Sequence, residues 1–144
     1  MKTVLLYTFL ILTIVFSACN ESYYDDEECY DYDYSDCNTV EPTEGNLNIR
    51  LTINKENPEV ELIIYQGKYE TQDTISRSVI TDPMCKISVP LNHYYSARAK
   101  YIAGDRIIFA IDGCEIKSRS NTVCDSVCWE ITGGDMDVRL KYDN

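Results

Sequence analysis

Histidine is nearly absent from this chain: among 144 residues there is one, His93. A hydrolase nucleophile needs a base beside it, and no Gly-x-Ser-x-Gly or Cys–His pairing with a family spacing is present. Carboxylate pairs exist, but 24 Asp and Glu guarantee some by chance, so they single out nothing. A basic surplus is missing too, since 13 Lys and Arg leave a formal charge of −11. Nucleic-acid binding needs a basic stripe, and none is found. After residue 16 no apolar run approaches the roughly 20 residues that cross a bilayer as a helix. Helical periodicity of useful length is missing as well. These absences argue against an enzyme and point to no cofactor and no metal.

What is present begins with an address. Lys2 gives a positive start, Val4 to Phe16 is an apolar run of 13 residues, and Ser17-Ala18 set small residues before Cys19. A charged start, a short apolar core and a small-residue exit describe a secretory signal. Phe16-Ser17-Ala18-Cys19 resembles the lipobox of bacterial lipoproteins. The resemblance implies removal of residues 1–18, lipidation of Cys19 and a membrane partner reached through that lipid. Acyl chains bury about 0.8 kcal/mol per CH₂, so two or more hold a folded domain stably on a membrane. The following Asn-Glu-Ser-Tyr-Tyr-Asp-Asp-Glu-Glu is similar to the surface-export signal of outer-membrane lipoproteins in some Gram-negative lineages. That implies an outer-membrane location facing the exterior.

The acidity is local. Residues 19–44 read as a tether: from Asn20 on they hold ten carboxylates, no Lys or Arg, and five tyrosines from Tyr23 to Tyr34. Such a stretch cannot bury enough surface to fold alone and is expected to be disordered. Asp31-x-Asp33-x-Ser35 begins like a calcium loop. Asp36 then stands where a Gly is required and Pro42 where a bidentate Glu belongs, so the pattern fails.

Six cysteines remain beyond Cys19: Cys29, Cys37, Cys85, Cys114, Cys124 and Cys128. An even set in an exported chain favours disulfides. Zinc is disfavoured, because neither Cys29-x₇-Cys37 nor Cys124-x₃-Cys128 gives the usual paired spacing. Cys124 and Cys128 can pair with each other, or one can hold the tether through Cys29 or Cys37.

From residue 45 to 144 the pattern has period two, the mark of half-buried strands. Leu47, Ile49, Leu51 and Ile53 share one face, then Val60, Leu62 and Ile64. Thr74–Ile80 reads as an edge strand. Cys85, Ile87, Val89 and Leu91 share the next inward face, and Pro90 places that strand at an edge too. Tyr95, Ala97, Ala99, Tyr101 and Ala103 follow. Putting Ile107, Phe109 and Ile111 on the same side requires an odd loop at Gly104-Asp105, with Gly104 or a neighbour left-handed. A two-residue turn at Asp112-Gly113 then keeps Cys114 and Ile116 inside, in phase with Cys85, which favours a Cys85–Cys114 bond. Val127, Trp129 and Ile131 form another inward set, so Trp129 reads as core. Gly133-Gly134-Asp135 turns into a last strand carrying Met136, Val138, Leu140 and Tyr142.

Seven or eight short strands with regular turns argue for a two-sheet antiparallel β-sandwich. The run Val89-Pro90-Leu91-Asn92-His93-Tyr94-Tyr95-Ser96-Ala97 resembles prealbumin-like and immunoglobulin-like modules of bacterial surfaces, which implies the fold and no functional residue. Tyr94 falls on the outward phase, and so does Tyr65 if Ile64 is inward; both are ligand-binding candidates. His93 reads as a turn residue. The function expected is that of a non-catalytic cell-surface module that binds a glycan or an envelope protein. The alternative is a structural subunit of a surface fibre or envelope assembly, joined by strand addition.

Overall fold

The structure is a computed structural model, and it describes residues 33–141 except Gln72. By its internal contacts the chain forms two units, Met1–Tyr34 and Ser35–Asn144. Residues 1–18, expected to be a signal, and Cys19 and Cys29 lie outside the described residues. The fold below is that of the second unit.

Eight strands build two sheets. They are β1 (Glu44–Arg50), β2 (Val60–Gln66), β3 (Thr74–Ile80), β4 (Met84–Pro90), β5 (His93–Ala103), β6 (Arg106–Val123), β7 (Ser126–Gly133) and β8 (Asp135–Asp137). The small sheet has the order β4-β1-β8 and the large one β3-β2-β5-β6-β7. The pairing is antiparallel throughout except between β1 and β8, which run parallel. Both edges expected from the sequence are edges: β3 flanks the large sheet, and β4 with its Pro90 flanks the small one. Proline is tolerated there because an edge strand can lack a ladder donor.

The core lies between the sheets. Leu47 and Ile49 of β1, Val60, Leu62 and Ile64 of β2, Val89 of β4 and Met136 of β8 meet there, with Ala97 and Ala99 of β5. Burying each large aliphatic side chain contributes about 1.5–3 kcal/mol. Two tyrosines on β5 cross this core and end on backbone carbonyls of the facing layer. Tyr95 donates its hydroxyl to Pro90 O at 2.8 Å, and Tyr101 donates to Val138 O at 2.8 Å. A buried phenol needs such a partner. Asn57 caps the end of β5 in both directions, donating to Ile102 O and accepting from Ile102 N.

Three local expectations are corrected. The β5–β6 loop is even: Ala103 pairs with Arg106 and Tyr101 with Ile108. Gly104, with φ of 60°, takes the first central position as a two-residue type II′ turn demands. Asp112-Gly113 is not a turn, because β6 runs unbroken through it for 18 residues. With no turn, residues 111 and 114 sit on opposite faces. Ile108, Ala110, Cys114 and Ile116 therefore face the core, while Ile107, Phe109 and Ile111 face out. Gly113 within the strand is explained by close approach, since a Cβ there would run into the Tyr94 ring.

Gly133-Gly134 is not a hairpin turn either. β7 pairs with β6 from Val123↔Ser126 back to Ile116↔Gly133. Staying in the sheet, it would have gone on to cover residues 115 to 106. Both glycines instead adopt positive φ, 81° and 88°, and the chain steps across to pair with β1 as β8. Strands that switch sheets make the corners of such sandwiches. The last stretch, Val138 to Leu140, continues along β1, with Val138 N donating to Arg50 O and Leu140 N to the Thr52 hydroxyl. Tyr142 lies outside the described residues.

Candidate functional site

The outer face of the large sheet is where chemistry and exposure coincide. Strand alternation puts Tyr65 of β2, Arg77 of β3 and Arg98 of β5 on this side, together with Ile107, Phe109 and Ile111 of β6. The short helical turn Tyr69–Thr71 lies beside β2 and β5 and brings Tyr69 and Glu70 to the same place. These elements enclose a pocket of about 360 Å³ lined by Tyr65, Tyr69, Glu70, Thr74, Arg77 and Arg98. Tyr65, only 5% exposed, is therefore not a free surface aromatic but one wall of a pocket. Arg77 reaches Glu61 at 3.8 Å as an exposed ion pair, which holds it only loosely.

Arg98 joins this pocket to an apolar stripe. Its guanidinium lies 4.9 Å from the centre of the Phe109 ring, a cation–π contact. Along β6, Ile107 is 59% and Phe109 50% exposed, with Ile111 and the neighbouring Ile102 of β5 also open. Single surface apolar groups are ordinary, but a contiguous row is a feature of contact surfaces.

The other residues named from the sequence fall elsewhere. Tyr94 is exposed on the same face but does not line the pocket; its ring lies over Gly113. His93 opens β5 beside left-handed Asn92 and packs edge-on to Tyr95, with ring centres 6.3 Å apart. Trp129 is half-buried, because the β6–β7 hairpin extends past the small sheet and leaves its inward phase only partly covered; Val127 and Ile131 are exposed for the same reason.

Among the cysteines, Cys37 bonds Cys128, with Cα atoms 4.9 Å apart, and the neighbouring Trp129 N donates to Asn38 O at 2.8 Å. So residues 37 and 38 are fastened to the outer edge of β7, one of the arrangements that the spacing left open. Cys124 is in a disulfide as well. The expected Cys85–Cys114 bond is not formed: both are free thiols. Their phase was right and the sheet order forbids the bond. Cys85 is on β4, Cys114 lies against Gly134 at the start of β8, and β1 runs between those two strands. Two inter-strand steps are about 9–10 Å, beyond a disulfide's reach. Burial pushes both thiols above the usual range, which disfavours the reactive thiolate. Among the described residues no group of three His, Cys, Asp or Glu is placed to hold a metal.

Sequence reasoning missed Arg77, Arg98, Tyr69 and Phe109. The first three lie on three separate elements that only pairing brings together, and the signal for Phe109 was inverted by the loop count. Comparison with protein-family models, with curated proteins and with solved structures returns no match.

Proposed function

We propose that this protein is a non-catalytic, lipid-anchored binding or accessory module, held at the outer membrane through Cys19 and facing outward. In this reading the acidic stretch is a spacer and the pocket of Tyr65, Tyr69, Arg77 and Arg98 is the recognition site. The pocket is the observation that carries the reading: two tyrosines, two guanidiniums and one carboxylate converge in a concave site. Aromatic walls with a few fixed polar groups suit a glycan, or a polar segment of a neighbouring envelope protein.

The test is capture from gently crosslinked, intact membranes, with glycan-array binding beside it. Three forms are compared: native protein, Arg98→Ala and Cys19→Ala. The expected result is a glycan or protein bound by the native form and lost with Arg98→Ala, and loss of membrane retention with Cys19→Ala. If Cys19→Ala is retained as well as the native chain, the anchor is refuted. If Arg98→Ala binds everything the native form binds, the pocket is refuted. A second reading, strand addition within an envelope assembly, is favoured by the edge of β6 from Arg106 to Glu115, which among the described residues has no strand on the side away from β5.

A further inference from the structure

β7 leaves the large sheet at Gly133, so among the described residues the edge of β6 from Arg106 to Glu115 has no strand beside it. Along that edge runs a groove of about 320 Å³ lined by Ile108 to Ile111 and by Asp137 and Arg139 to Lys141. Unpaired backbone next to an apolar groove is a template for another strand. From the order of side chains on β6 we infer that the strand it accepts is the same edge of a second copy.

A two-fold axis normal to the sheet joins two such edges antiparallel, with the outer face continuous across both copies. Facing must match, so an outward residue can oppose only an outward residue. With Phe109 opposite its own copy, the outer row reads Ile107 against Ile111, Phe109 against Phe109 and Ile111 against Ile107. The inner row reads Arg106 against Asp112, Ile108 against Ala110, and the reverse. Within these seven residues every apolar group meets an apolar group and each charge meets its opposite, while Asp105 just beyond them faces Gly113, which has no side chain to oppose it. Sliding the register by two residues in one direction sets Arg106 against Ala110 and Asp105 against Ile111. Sliding it the other way sets Arg106 against Cys114 and Asp112 against Ile108. Only one register is self-complementary.

Three observations support this contact. Neither Arg106 nor Asp112 takes part in an ion pair among the described residues. The Asp112 carboxylate is already held in place, accepting from Gly113 N at 2.8 Å and Asp137 N at 2.7 Å, and it keeps lone pairs for an incoming guanidinium. Phe109 is steadied from within its own subunit by Arg98. Seven opposed residues give about 6–8 backbone hydrogen bonds across the axis. The two apolar stripes merge into one, and an isologous two-fold contact closes the assembly at two copies.

This deepens the strand-addition reading by naming its partner; it is independent of the anchor, and it shares only Arg98 with the pocket. The experiment is light scattering on the full-length protein in mild detergent, with the variants Phe109→Glu and Phe109→Lys. Position 109 is half-exposed, so both charges are compatible with the folded subunit, which circular dichroism checks. The expected result is a dimer for the native chain, monomers for each variant alone, and a dimer again when the two variants are mixed. A native monomer, or a dimer untouched by both variants, overturns the inference. A native monomer that captures a different envelope protein through Phe109 overturns the second copy while leaving strand addition standing.

Discussion

Tyr101→Phe removes one oxygen from the middle of the core. That hydroxyl donates to Val138 O at 2.8 Å and accepts from Thr52 N at 3.1 Å, so it ties β5 both to the extension of β1 and to the C-terminal stretch. Tyr101 and Val138 are both 0% exposed, so water cannot replace the lost partner at the carbonyl without opening the core. A buried group left unsatisfied costs about 1–3 kcal/mol, and the Thr52 amide, which is less buried, adds to this only in part. Relief of the phenol's own desolvation offsets some of the loss. The expected net destabilisation is about 2 kcal/mol, or a midpoint lower by roughly 6–10 °C for a domain of this size. Urea unfolding with the disulfides intact measures it, and the slope against urea should stay unchanged, because the surface exposed on unfolding is the same. Hydrogen exchange at the Val138 and Leu140 amides should quicken. Tyr94→Phe, on the open outer face, is the control and should move stability by less than about 0.5 kcal/mol. If Tyr101→Phe falls within that same small range, the hydroxyl is not the tie described.

Other outcomes follow from single features. Gly133→Ala places a Cβ against the Glu115 carbonyl in a residue with φ of 81°. It should cost more than about 2 kcal/mol in thermal or urea unfolding, since both the clash and the left-handed backbone oppose it. Cys37→Ser opens a bond between residues 91 apart. The chain-entropy estimate is about 4–5 kcal/mol, and calorimetry of the oxidised variant should show a loss of that order or somewhat less. The Cys85 and Cys114 thiols are raised by burial. Iodoacetamide at pH 8 should therefore modify them slowly in the native protein and quickly in urea. The folded state holds those protons more tightly, so stability should be level below the unfolded thiol value of about 8.5 and fall as the pH rises above it.

The small row Ile107, Phe109 and Ile111 shows how far sequence reasoning reaches. The period-two pattern identified a strand, and its side depended on whether the loop at Gly104-Asp105 held two residues or three. Assuming that all apolar rows face inward selects three. The chain uses two, and the row faces out. A period-two pattern reports that one face is apolar, whereas the identity of that face is set by what lies across it. The same limit applies to Val127, Trp129 and Ile131, whose phase is inward although the small sheet does not extend far enough to cover them. The pocket was illegible for another reason. Tyr65, Tyr69, Arg77 and Arg98 have no spacing in common, and only the β3-β2-β5 order sets them side by side.

By itself the sequence determined the all-β class, the inward rows of β1, β2, β4 and β5, and the placing of Thr74–Ile80 and the Pro90 strand at edges. Those properties are local: alternation, a missing donor at proline, and the need to bury aliphatic groups. Tertiary structure alone decided that Cys85 and Cys114 stay apart, that Gly133-Gly134 moves a strand from one sheet to the other, and that, among the described residues, one edge of β6 from Arg106 to Glu115 has no strand beside it. Each of these depends on strand order, and strand order is fixed by contacts between residues far apart in the chain.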